Sequence, residues 1–156
     1  MQVLKRIAEA SVWAPNGITA ADWRFRGIFR WVLPLANLAF AYFGFVGFAN
    51  GVGSVQHAAG DMWQLWWSGG IAFTSILCFI GVSFPKLWLL ELCAKILMVS
   101  LVGSYISLYL SRGIDDPQVT ALAGLITILI YLPIWRIGDL AVVAWQHGFL
   151  RKKPTA

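Results

Sequence analysis

Four long apolar stretches, at 31–49, 66–84, 87–110 and 119–135, are separated only by short polar breaks. Each approaches the ~20 residues with which a helix crosses ~30 Å of hydrocarbon. A soluble domain of this length would need polar residues to cover its core, yet 59% of this chain is hydrophobic and only 12% is charged. The expected fold is therefore an all-α integral membrane protein: four transmembrane helices in an antiparallel bundle, with a short N-terminal amphipathic helix and a basic C-terminal tail. The spans are placed at about 27–50, 63–83, 86–110 and 119–140. Residues 1–18 form an interfacial segment, and 141–156 form a cytoplasmic tail. No segment outside the spans is long enough to bury a core of its own, so 1–156 is read as a single membrane domain.

The net charge of +5 follows topology rather than a nucleic-acid surface. Lys5, Arg6, Arg24, Arg26 and Arg30 precede the first span, Lys86 lies between the second and third, and Arg136, Arg151, Lys152 and Lys153 close or follow the fourth. The other two breaks hold only Arg112. The positive-inside rule then puts both termini and the Lys86 turn on the cytoplasmic side, with anionic headgroups as the partner of the basic flanks. A cleavable signal peptide is not expected, because cations interrupt the first thirty residues before any continuous apolar run can form.

Several local signals refine this plan. Val3, Leu4, Ile7, Ala8, Ser11 and Val12 recur at helical spacing opposite Lys5, Arg6 and Glu9, the pattern of a helix lying in the headgroup plane. Thr19 and Asp22 mark a new helix start. Arg24, Arg26, Arg30, Arg136 and Asp139 are read as interfacial groups whose stems lie along apolar surface. Pro34 is expected to kink span one, and Asn37 to bond a neighbouring helix. Gly44, Gly47 and Gly51 form a shallow groove that suits close helix contact. Trp63, Trp66 and Trp67 read as an aromatic belt at the start of span two. Pro133 is expected to turn span four into an interfacial helix.

The charged pair Glu91 and Lys95, one helical turn apart, falls inside span three. The order and spacing favour an ion pair. Counted from Lys86, Lys95 lies ~13 Å into the membrane, so it is expected to be paired, directed inward, or reaching back toward the inner leaflet. The pair is either a structural latch or a pore, proton or substrate group. Beyond it Ser100, Gly103, Ser104, Ser107 and Ser111 make a small hydroxyl-bearing stripe, a packing seam or one wall of a wet path.

Enzyme chemistry is not expected. His57 and His147 fall on opposite sides of the membrane, and no acid, base and nucleophile share a motif. Cys78 and Cys93 flank the Ser83–Lys86 turn without a third soft ligand, so neither a metal nor another cofactor is expected. Where the two thiols sit leaves room for them to approach each other.

The plan of basic flanks and four short-linked spans, with Phe84-Pro85-Lys86-Leu87-Trp88-Leu89-Leu90-Glu91-Leu92-Cys93-Ala94-Lys95 opening the third, resembles small multi-span bacteriophage membrane proteins described as holins. The resemblance implies a protein that forms homo-oligomers in the bacterial inner membrane and permeabilises it. It carries over no functional residue. The alternatives are an accessory subunit of a larger membrane complex and a small ion or solute transporter with Glu91 as its titrating group.

Overall fold

A computed structural model describes residues 25–111 and 117–145, together with Arg6 and residues 8–15, 17 and 18 toward the N-terminus. The expected helix start at Thr19, the cation Arg24, the break at 112–116 and the basic residues from 146 onward lie outside the described residues. Among the described residues every regular element is helical. A π-helical turn, Ile28–Val32, leads into α1, Leu33–Asn50. Then follow the short α2, Gly53–Ala59, the long α3, Asp61–Ser83, a 3-10 turn at Pro85–Leu87, α4, Trp88–Ser111, and α5, Pro117–Ala144.

Among the described residues three helical stretches are long and apolar enough to cross a membrane: Ile28–Asn50, Asp61–Ser83 and Pro85–Leu108. Their outer faces carry the same chemistry as their inner ones. On the π-turn and α1 the side chains of Trp31, Leu35, Leu38, Tyr42, Phe45 and Phe48 are exposed, an apolar surface that water would penalise and hydrocarbon accepts. Helices of this length and composition, apolar on their outer faces, mark the chain as a membrane protein.

Pro34 explains the entry to α1. A proline has no N–H to offer the carbonyl four residues back, and its ring crowds that turn. It falls in the first turn of α1, directly after the wide π-turn, so the irregularity expected at Pro34 takes the form of a π-turn before it. At the far end Gly51, with φ of 79°, closes α1 by donating its N–H to the Gly47 carbonyl at 2.9 Å. Gly60, with φ of 87°, does the same for α2. Left-handed values of this kind are open to glycine at little cost.

The central element is α3, which packs on α1 along one side and α4 along another. Gly44 lies against Ala72 and Gly47 against Ser68, so α1 and α3 run in opposite senses; Gly70 against Leu101 and Gly81 against Glu91 set the same relation between α3 and α4. Three apolar layers stack along α3. Val55, Trp67, Ile71, Val102 and Tyr105 form the first, Cys78, Ala94 and Met98 the second, and Phe29, Leu33 and Val82 the third.

Some local expectations need correction. The connection between spans one and two is partly helical, and its Val55 is fully buried. Trp66 is exposed as a belt residue should be, but Trp67 turns inward and donates its Nε1–H to the Leu101 carbonyl at 2.8 Å. Cys78 is buried in the core while Cys93 is exposed, and both are free thiols. The α5 helix continues through Pro133 as far as Ala144, so residues 141–144 belong to that helix rather than to a tail.

Candidate functional site: a buried charge cluster

Glu91 and Lys95 share one face of α4, and that face points into the protein. Each is only 1% exposed. Gly81 makes this possible: a Cβ added there would lie 2.6 Å from the Glu91 Cβ and 2.8 Å from its Cα, so only glycine lets α3 and α4 meet at this height.

The carboxylate of Glu91 is held chiefly by Arg136 of α5. Arg136 Nε donates to Glu91 Oε1 at 2.8 Å and Nη2 to Oε2 at 3.1 Å, the two-pronged geometry that a guanidinium offers a carboxylate. Lys95 Nζ stands 3.9 Å from Glu91 Oε1, within ion-pair range but beyond hydrogen-bond length. Arg136 Nη1 also donates to Asp139 Oδ2 one turn along α5. With Glu91 and Asp139 against Lys95 and Arg136, the formal charges cancel. That balance matters in a low-dielectric interior, where an unpaired ion carries a desolvation cost of several kcal/mol.

Aromatic rings close the cluster. The Arg136 guanidinium carbon sits 4.6 Å from the centre of the Phe29 ring, a cation–π contact. Trp135 in turn lies 6.3 Å from Phe25 and 6.4 Å from Phe29, ring centre to ring centre. A cavity of about 70 Å³ lies beside Arg136, lined also by Val12, Gly17, Ile18, Phe29, Val82 and Pro85.

These contacts revise the reading of the charged residues. The helix spacing identifies Lys95 as the partner of Glu91, whereas the structure gives the closer contact to Arg136, 45 positions away. Of the alternatives open to Lys95, the structure has it directed inward and within ion-pair range of Glu91, not extended to the interface. Arg136 is 13% and Asp139 33% exposed, so the first is an inward group and the second lies at its margin. Arg26 is exposed, and Arg30 donates Nε and Nη2 to the carbonyls of Val12 and Ala14 at 3.0 and 3.1 Å.

The remaining candidates fall in different places. Gly44 and Gly47 are consumed by packing against α3 within the chain, while Gly51 ends α1. Ser100 and Ser107 are exposed, and nothing lies within 4 Å of a Cβ built on Gly103. The Ser100 and Ser104 hydroxyls donate to the carbonyls of Ile96 and Leu101 at 2.9 and 2.7 Å, which satisfies them within their own helix. Neither of these two hydroxyls therefore needs water.

Two amides are also buried in the interior. Gln64 Nε2 donates to the Gly47 carbonyl at 2.6 Å and to Ser68 Oγ at 2.7 Å, joining α1 to α3. This clasp has no sequence signature beyond a glutamine near a helix start. Asn37, expected to bond a neighbouring helix, is buried with Nδ2 lacking a hydrogen-bond partner among the described residues. Among the described residues no group of three or more His, Cys, Asp or Glu side chains is placed to hold a metal ion.

No protein-family profile, curated protein or solved structure matches the chain.

Proposed function

We propose that the chain is a four-span protein of the bacterial inner membrane, with both ends cytoplasmic, whose copies assemble and permeabilise the bilayer in the manner of holins. The observation that carries this reading is the open face of α4. Cys93, Ile96, Leu97, Ser100 and Ser107 are exposed on it at helical spacing, with Gly103 among them, so its small residues leave room for a second copy. Meanwhile the charges at Glu91, Lys95, Arg136 and Asp139 balance inside a single copy, which makes them a latch that holds α4 and α5 together. The basic flanks favour anionic headgroups as the lipid partner.

The test is inducible expression in a bacterial host with a potential-sensitive dye. Depolarisation that is lost in Gly103→Leu, at equal membrane insertion, is the expected result. Normal potential at high, correctly inserted expression would overturn the proposal. A second reading, a small ion or solute transporter, is favoured by the intramembrane Glu91–Arg136 pair, since ionisable groups at such depth commonly serve a transport path. Solute uptake lost in Glu91→Gln but kept in Gly103→Leu would select it.

A further inference from the structure

The outer side of α3 carries a groove of about 580 Å³. Met62 and Trp66 stand at one end and Phe73 at the other, Gly69 and Gly70 make the floor between them, and Phe48 of α1 forms a flank. Among the described residues no charged side chain lines it. The glycine pair gives the floor its depth: a Cβ on Gly69 would come 3.5 Å from Phe48 Cδ2, so a larger side chain at that position would occupy the groove itself. From Met62 to Phe73 the helix rises ~16 Å at ~1.5 Å per residue, against ~15 Å for one half of a ~30 Å hydrocarbon core. The groove therefore runs about the depth of one leaflet, starting in the first turn of α3.

Its shape selects the occupant. Met62, Trp66 and Phe73 are exposed, so their side chains project beyond the floor and hold a second helix away from the glycines. Gly44 and Gly47 differ in this respect, because they meet the small Ala72 and Ser68. A flexible hydrocarbon chain can thread between the projecting groups. Lipid tails are as apolar as the groove, so what such a chain gains there is dispersion contact with the floor and the rings. The mouth supplies a charge. Asp61, the residue before Met62, is exposed at the end of the apolar span, where headgroups begin. A carboxylate there attracts an ammonium headgroup and repels a phosphate that carries no cation.

We infer that the groove binds one acyl chain of a phospholipid with an ammonium-bearing headgroup, the chain lying over Gly69 and Gly70 and the ammonium meeting Asp61. The site lies at the end of α3 away from Gly81 and the charge cluster, and it requires neither assembly of copies nor permeabilisation.

The experiment places the full chain in phosphatidylglycerol nanodiscs with a small share of a probe lipid that carries a diazirine midway along one acyl chain and either an ethanolamine or a glycerol headgroup. After illumination, peptide mass spectrometry reads the adducts on residues 62–73, normalised to those on the lipid-facing residues 31–42 of the π-turn and α1. Gly69→Leu is expected to lower the normalised labelling about fivefold, and Gly69→Ala, whose added methyl is in ordinary contact distance, about twofold. The ethanolamine probe should label about threefold more than the glycerol probe, and Asp61→Asn should remove that preference. Labelling that neither glycine variant changes means annular lipid only and overturns the site. Disulfide-linked dimers of Gly69→Cys in a Cys78→Ala/Cys93→Ala background, without labelling of 62–73 in the unaltered chain, would give the groove to a second copy and overturn it too. Equal labelling by the two probes, or a preference that survives Asp61→Asn, would overturn the ammonium assignment. Should Gly69→Leu fail to insert, Gly69→Ala decides.

Discussion

Arg136 grips Glu91 through two nitrogens at 2.8 and 3.1 Å, joining α5 to α4 by a contact that no single helix contains. Removing the guanidinium leaves a carboxylate buried opposite only the more distant Lys95. Arg136→Ala should therefore lower stability by about 3–5 kcal/mol. Glu91→Gln/Arg136→Gln should lose less than the two single changes summed, with a coupling of about 2 kcal/mol. Reversible unfolding in mixed micelles of mild and denaturing detergent measures both; additive single effects would show that the pair is not coupled.

The glycines of α1 and α4 should respond in opposite directions. A Cβ on Gly44 would stand 2.5 Å from the Ala72 nitrogen and 2.8 Å from its Cα, backbone atoms that cannot swing aside. Gly44→Ala should cost about 1–3 kcal/mol through overpacking. Gly103→Ala meets nothing within 4 Å and should be neutral or stabilising by up to about 1 kcal/mol. Thermal unfolding in detergent compares the two, and equal losses would contradict the assigned helix faces.

The two thiols should be chemically distinct. Cys78 is fully buried and Cys93 exposed. A small membrane-permeant maleimide should modify one thiol per chain in the folded protein and both after denaturation, as read by intact mass. Two fast modifications in the folded state would place Cys78 at an accessible surface.

Neighbouring tryptophans should also separate. Trp67→Phe keeps most of the ring but loses the donor to the Leu101 carbonyl, at a cost of about 1 kcal/mol. Trp66 is 77% exposed, and Trp66→Phe should change stability by no more than about 0.5 kcal/mol. The same unfolding assay reads both, and a larger loss from Trp66→Phe would reverse the assignment.

Long apolar runs made the helices legible because length and hydropathy act locally. The glycine spacing of Gly44 and Gly47 likewise pointed to a close helix contact, and the structure supplies Ala72 and Ser68 as its other side. Facing directions were harder to read. In a helix such as α1, lipid and protein interior are equally apolar, so Leu35 on the outside and Leu33 on the inside have the same chemistry. The pairing of Glu91 with Arg136 was hidden for another reason. Periodicity exposes neighbours three or four residues apart, which promotes Lys95, while a partner on another helix is set by tertiary packing that begins at Gly81. Trp67 was misread because a tryptophan near a span end suits both an interfacial belt and a buried bond to a carbonyl.

The π-turn at Ile28–Val32 has an evolutionary consequence. Such a turn holds one residue more than the α-turn it replaces, so a one-residue deletion there rewinds it to ordinary pitch while the inward row Leu33, Asn37, Ala41 and Gly44 keeps its register. Chains descended from a common ancestor with this one should tolerate single-residue length changes at that position better than anywhere within α1.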